Sequence, residues 1–162
     1  MPTTGTTTSQ ISAALGFQGL EICIGATGSP ETFTIVSNVE DYTQAMKNTV
    51  VMVTNAGDNF VRRFPTVTDP GEPTFKIFWI PLEPSHRNSP ESGGNIAAGL
   101  RYLCINKVLT DVQTRYPADA NGDVATDAFK AYITSFQVTG KVAGVFEATV
   151  AFGISDQNPS FV

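Results

Sequence analysis

The chain has 162 residues, of which 41% are apolar and only 15% charged, and its formal net charge is −5. That length fits one domain able to bury roughly two thirds of its unfolded surface. The acidic balance excludes binding that depends on neutralising phosphates, and no run of about 18 apolar residues is present to form a membrane-spanning helix. A typical domain is about a quarter charged. A chain this poor in charge must cover itself with Thr, Ser, Asn, Gln and Gly, or bury its surface against partners.

Residues 1–14 are rich in Thr and Ser. They lack the basic region and apolar core of a secretory signal, and are expected to be an arm ordered only by a neighbour. One domain is expected over residues 15–156, with a C-terminal tail over 157–162. GLEICIG, from Gly19, alternates Leu20, Ile22 and Ile24 against Glu21 and Cys23, the pattern of a half-buried strand. Thr27 to Glu31 reads as a turn, and Phe33 to Val39 as a strand with Phe33, Ile35 and Val39 facing in. Glu40 to Asn48 is polar and has no clear period. The β-branched run Thr49 to Thr54 is a short strand.

Asn55 to Pro73, NAGDNFVRRFPTVTDPGEP, reads as a long loop with three prolines and two glycines. Loops of this length are functional or held by a partner. Thr74 to Ile80 is the next strand, apolar on both faces: Phe75, Ile77 and Trp79 on one, Phe78 and Ile80 on the other. Ile96, Leu100, Leu103 and Cys104 carry helical spacing, which predicts an amphipathic helix over 95–107 with Asn95 as N-cap. Val112 to Tyr116 re-enters the sheet. Ala128 to Asp156 is a long hairpin turning at Gly140 and Gly144. Its first strand carries Phe129, Ala131 and Ile133 on one face and Tyr132, Phe136 and Val138 on the other. The sum is a mainly β chain: a sandwich of two mostly antiparallel sheets, flanked by one helix.

The chemistry-bearing residues are sparse. His86 is the single histidine and reads as a surface or turn residue. Asp119 to Asp123 has the glycine one position too early for a calcium loop, and Lys130 where a bidentate Glu is required, so it reads as a turn. Cys23 and Cys104 lack metal-site spacing and read as thiols of a reducing cytoplasm. No nucleophile, metal or dinucleotide motif is present, and no catalytic, metal-binding or cofactor-binding residue is assigned. Arg62 and Arg63, set between Val61 and Phe64, suit bidentate contacts to a carboxylate on another subunit.

Taken in order, Glu31-Thr32-Phe33, Val53-Thr54-Asn55, Asp69-Pro70-Gly71, Phe75-Lys76-Ile77, Pro84-Ser85-His86 and Ala131-Tyr132-Ile133-Thr134-Ser135-Phe136 resemble the major tail tube proteins of long-tailed, siphovirus-like bacteriophages. The resemblance spans residues 18 to 155. It departs at Thr139 to Gly144, where the family often has an aspartate-rich stretch, over residues 88 to 109, which look longer than usual, and at Ser155-Asp156, where a glycine is common. It implies a structural subunit, not an enzyme, that forms hexameric rings stacked into a tube in the virion. The lumen would conduct DNA without specific binding. The implied partners are other copies, a tail tip or initiator, a terminator and a tape-measure protein, with no membrane and no cofactor. The ring-to-ring loop would include Phe60, Arg62, Arg63, Phe64 and Asp69. Strands carrying Phe75, Ile77, Trp79, Phe129, Tyr132 and Phe136 would join an inter-subunit barrel. Three alternatives stand beside this reading: a monomeric immunoglobulin-like binding or adhesion module, an enzyme of unassigned type, and the inner tube of a contractile tail or injection machine.

Overall fold

The structure is a computed structural model that describes residues 19–27, 31–54, 56–57, 59–140, 144–156 and 158–162. The N-terminal arm expected over 1–14, the residues up to 18 and the centre of the long hairpin's turn lie outside the described residues. Among those described, nine strands and one helix run in the order β1 (Glu21–Gly25), β2 (Phe33–Ile35), β3 (Val39–Thr43), β4 (Lys47–Val53), β5 (Arg62–Asp69), β6 (Thr74–Phe78), α1 (Leu100–Asn106), β7 (Thr110–Arg115), β8 (Thr126–Gly140) and β9 (Phe146–Ile154). Seven strands form one sheet in the order β2-β1-β7-β8-β9-β6-β3, and β4 and β5 form a separate pair.

The long strand β8 makes the sandwich. Its first part, Thr126 to Ala131, pairs with β7, while Ala131 to Gly140 pairs with β9 on the other side. A register shift between Ile133 and Ser135 marks the bend, as an extra residue in a ladder kinks a strand. One layer is therefore β2-β1-β7 with the first part of β8, and the other is β3-β6-β9 with its second part. Ile22, Ile24 and Val112 from the first meet Phe75, Ile77, Val150 and Phe152 from the second in a single core. Phe152 sits at its centre, 5.2 Å from the Phe75 ring and 6.3 Å from the Phe129 ring. Burying a side chain of this size stabilises by about 1.5–3 kcal/mol. Helix α1 adds Leu100 and Leu103 to the same core.

Several expectations need correction. Phe33 to Val39 is broken by a turn at Ser37-Asn38, where Asn38 takes a positive φ of 61°; Val36 is buried, and Ile35 points outward. The polar stretch VEDYT is a strand, β3, because Tyr42 and Val39 pack on the core while Asp41 and Thr43 face out. Strand β1 is covered on both faces, Cys23 being as buried as Ile22. The helix is shorter than its periodicity suggests. Gly93 and Gly94 both have positive φ, Ser92 bridges Ile96, and the N-cap is Gly99 with no side-chain cap. A Cβ on Gly99 would stand 2.0 Å from the Arg87 carbonyl oxygen, so this start requires glycine.

The tail beyond β9 is docked. Ser155 donates its amide to the Lys130 carbonyl, and Ala128 and Ser160 exchange two hydrogen bonds of 2.8 Å. The Val162 amide donates to Asp127, which also accepts a 2.6 Å bond from the Tyr116 hydroxyl. Phe161 packs 6.2 Å from Phe129. The first part of β8 is thus flanked on both sides.

Candidate assembly surfaces

The feature that stands apart is the β4–β5 pair. Every residue of both strands is exposed. The stretch expected to be an unstructured loop is therefore in large part a strand: Arg62 to Asp69 runs antiparallel to Lys47 to Val53. Pro65 lies opposite Val50, beside a bulge where Asn48 pairs with Thr68. Proline is tolerated there because both strands of an isolated pair are edges. Phe60, Arg62, Arg63, Phe64 and Asp69 all lie on this hairpin or at its turn. Val53 opposes Arg62, Met52 opposes Arg63 and Val51 opposes Phe64. Met52 is 64% exposed and Phe60 84%, with Val50, Val51, Val61, Phe64 and Val67 also open. A lone two-stranded ribbon is marginal in water, and its exposed apolar side chains make it a candidate interaction surface.

The base of the hairpin, by contrast, is fixed. Asp69 Oδ1 accepts the Gly71 amide at 2.9 Å. Gly71 has φ +76°, and a Cβ there would fall 1.8 Å from the Ala45 carbonyl oxygen.

A second surface is the outer face of the layer β3-β6-β9-β8. Its rows read Thr43-Thr74-Ala151-Ser135 and Asp41-Lys76-Thr149-Gln137, followed by Phe78-Glu147-Thr139. Apart from Phe78 and Tyr132, that face is polar or small. Its two ends are unpaired: among the described residues β3 pairs only with β6, and β8 beyond Ala131 pairs only with β9. The sheet's other end is treated differently, since Thr34 Oγ1 accepts the Ala97 amide and Thr32 Oγ1 donates to the Asn95 carbonyl, so a loop covers β2.

The residues singled out for barrel strands divide by position. Phe75, Ile77 and Phe129 fill the core, Phe136 and Trp79 are half-buried, and Tyr132 is exposed. Phe129 lies in the first part of β8, and Trp79 just beyond the end of β6.

His86 is not a surface residue. It is 0% exposed. Its Nδ1 accepts the Ile80 amide at 3.2 Å, and its Nε2 donates to the Ser37 carbonyl at 2.8 Å. It ties the segment after β6 to the turn before β3, a role invisible to spacing because its partners are backbone groups 6 and 49 residues away. Asp119 does head a turn: its Oδ1 accepts the amides of Asn121 and Asp123, and these backbone donors hold its carboxyl below the ordinary range. Both cysteines are free, and burial pushes the Cys23 thiol up.

A cavity of about 290 Å³ beside α1 is lined in part by Glu31, Glu91, Tyr102 and Asp111. Glu91 is engaged by the amide and hydroxyl of Thr27. Burial, and then the Asp111 carboxylate, raise the Glu31 carboxyl above its usual range, partly offset by Lys130. Among the described residues no group of three or more His, Cys, Asp or Glu is placed to hold a metal ion.

No protein-family model and no curated protein matches this sequence. Solved structures do match its shape. A subunit of the SPP1 tail tube superposes with a TM-score of 0.65 at 9% identity, covering 92% of this chain and 80% of that one. The fold is the tail-tube fold. A chain of the anti-feeding prophage baseplate gives 0.62 at 10% identity over 94% of this chain and 97% of that one. A chain of the sheath-tube complex of the extracellular contractile injection system PVC gives 0.59 at 11% identity, over 98% and 100%. The tail-tube fold here therefore covers the sandwich and its helix nearly end to end, at identities where only the backbone plan persists.

Proposed function

We propose that this chain is a structural subunit of a phage tail tube, without enzymatic activity, forming hexameric rings that stack around a lumen through which DNA passes. The observation that carries this reading is the four-stranded layer with two unpaired edges. Its strands alternate in direction, so β3 and the second part of β8 run oppositely. A second copy set alongside places its β3 against that β8 edge and continues the antiparallel ladder. The contact is heterologous, and six copies close it into a barrel without edges. Chain joins chain through backbone groups, which leaves Phe75 and Ile77 free to fill each copy's own core.

The outer face of this layer then lines the lumen. Its Thr, Ser and Gln side chains, with Asp41 and Glu147 against Lys76, offer DNA no cationic track, consistent with passage without specific binding. The β4–β5 hairpin, with Phe60, Arg62, Arg63, Phe64 and Asp69, serves as the contact between rings, and the arm over 1–14 adds a second. The site of action is the virion tail, and the partners are a tail-tip initiator, a terminator and a tape-measure protein. The likeness to injection-system chains at TM-scores of 0.59 to 0.62 favours one second reading, the inner tube of a contractile machine. A sheath protein that binds the assembled tube would select it.

The test is negative-stain microscopy of the concentrated, purified protein, alone and with purified tail tip. Hollow tubes or stacked rings of uniform diameter are expected. Monomers under both conditions would reject the tube in favour of a monomeric binding module.

A further inference from the structure

We propose that the end of the four-stranded layer around Trp79 is the acceptor for the β4–β5 hairpin of a second copy, an assignment that rests on the tube reading above. The layer is polar in the geometric sense. β3 ends at Thr43, opposite Thr74 where β6 begins, and the hairpin leaves and returns at that end through residues 44–46 and 70–73. At the far end, Phe78 pairs with Glu147 and Gly140 pairs with Phe146. Donor and acceptor therefore lie at opposite ends of one layer. Such a pair adds copies head to tail without closing on itself.

The far end is apolar because β8 and β9 overhang. β7 pairs with β8 no further than Ala131, so among the described residues the overhang has a free β8 edge, and Val138 and Phe146 on its core-side face remain exposed. Phe146 is 56% exposed, Val138 and Val145 are exposed beside it, and Ile80 and Leu82 follow on the next segment, Leu82 at 82%.

This surface is also preorganised. Trp79 donates its amide to the Phe146 carbonyl at 2.8 Å and sets its ring edge-on to Phe146 at 6.2 Å, with the Arg101 guanidinium 5.8 Å from its own centroid. His86 holds the Ile80 amide, which fixes the path of the chain toward Leu82. An acceptor already rigid loses little entropy on binding. The hairpin matches it in chemistry: it offers Val51, Met52, Phe60 and Phe64 with Arg63, while Glu147 borders the acceptor.

The test uses two variants whose changes lie outside the core. Phe64→Asp removes the donor, and Leu82→Asp removes the acceptor. Circular dichroism melting should show both folding as the unsubstituted chain does. Each alone should raise the concentration needed for tube formation at least about tenfold. Mixed in equal amounts, they should recover association that neither shows alone, because an intact hairpin then meets an intact acceptor. Either variant polymerising like the unsubstituted chain, or a mixture that fails to associate, overturns the assignment while leaving the tube reading in place. An unsubstituted chain that never assembles, even with tail tip, removes the tube reading itself.

Discussion

The two halves of the large sheet's perimeter are treated in opposite ways. Around β2 and the first part of β8, the Asn95–Ala97 loop bonds the Thr32 and Thr34 hydroxyls on one side, and the tail pairs with the backbone of Ala128 and Lys130 on the other. Around β3, the second part of β8 and the β4–β5 hairpin, edges and apolar side chains are left open. An open edge is a hazard that a protein ordinarily blunts. Among the described residues, one region of the chain is closed by its own contacts and the other is left open, which is where the proposed assembly places a neighbour.

Substitutions sharpen the contrast, and the largest effect belongs to the closed region. Phe152→Ala removes the ring that joins Phe75 and Phe129, and should cost about 3–5 kcal/mol in urea unfolding. Phe64→Ala on the hairpin should change monomer stability by no more than about 0.5 kcal/mol, although both residues are phenylalanines on strands. Equal losses at the two sites would erase the distinction.

His86→Ala removes a fully buried ring and the partner of the Ile80 amide and the Ser37 carbonyl, and should cost about 2–3 kcal/mol in the same measurement. Because His86 supports the path to Leu82, this variant should also assemble less well than its stability alone would explain.

Gly71→Ala acts at the hinge between the two regions. A side chain in that left-handed conformation, against the Ala45 carbonyl, costs about 1–3 kcal/mol. Hydrogen exchange should show β4 and β5 losing protection while β8 and β9 keep theirs. Asn tolerates the positive φ but still carries a Cβ, so Gly71→Asn should behave as Ala does. Recovery with Asn would assign the effect to φ alone.

A smaller effect appears at alkaline pH. Burial, reinforced by the hydrogen bond to Asp127, raises the Tyr116 hydroxyl well above its ordinary value of 10.0. The folded chain therefore holds this proton after the unfolded chain has released it. The associated stability is intact below about pH 10 and falls as pH rises toward the folded value. Tyr116→Phe should flatten the decline of the urea midpoint above pH 10, while costing about 1 kcal/mol at neutral pH for the lost bond. The smallest change is Glu31→Gln. Its carboxyl is raised from 4.5, so the ionised group weighs against folding once pH exceeds that range, and the neutral amide should raise the melting temperature slightly at pH 7.

The sequence was legible where burial wrote a strict pattern. The β8–β9 hairpin stands within two residues of where the pattern puts it, but the register shift between Ile133 and Ser135 returns Phe136 and Val138 to the core side, against the expectation that sets them with Tyr132. Reading failed where tertiary context overrides local signal. VEDYT looks like a polar connection because only Tyr42 and Val39 need the core. RRFPTVTD looks like a loop because Pro65 argues against a strand, yet a ribbon paired on one side has a place for it. The helix is shorter than its period suggests, because Ile96 falls on the right period while Ser92 holds it in a bridge. The assembly surfaces were legible only in part. Phe60, Val61, Phe64 and Val67 are too apolar for a free linker, whereas the overhang at Phe146 becomes visible only once β7 is seen to stop short.

The shared strand β8 has a mechanical consequence. It is fifteen residues long and carries a ladder to β7 at one end and to β9 at the other. A pull along that strand loads its cross-strand hydrogen bonds in shear, so many must yield together, whereas a pull across the free end of β4–β5 would peel its bonds one after another. Tension carried along β8 passes from one layer to the other without crossing a loop, so in the proposed tube each subunit would be a stiff link with its compliance concentrated at the ribbon. On the proposed assembly, a column of such links would bend while its bore stays round.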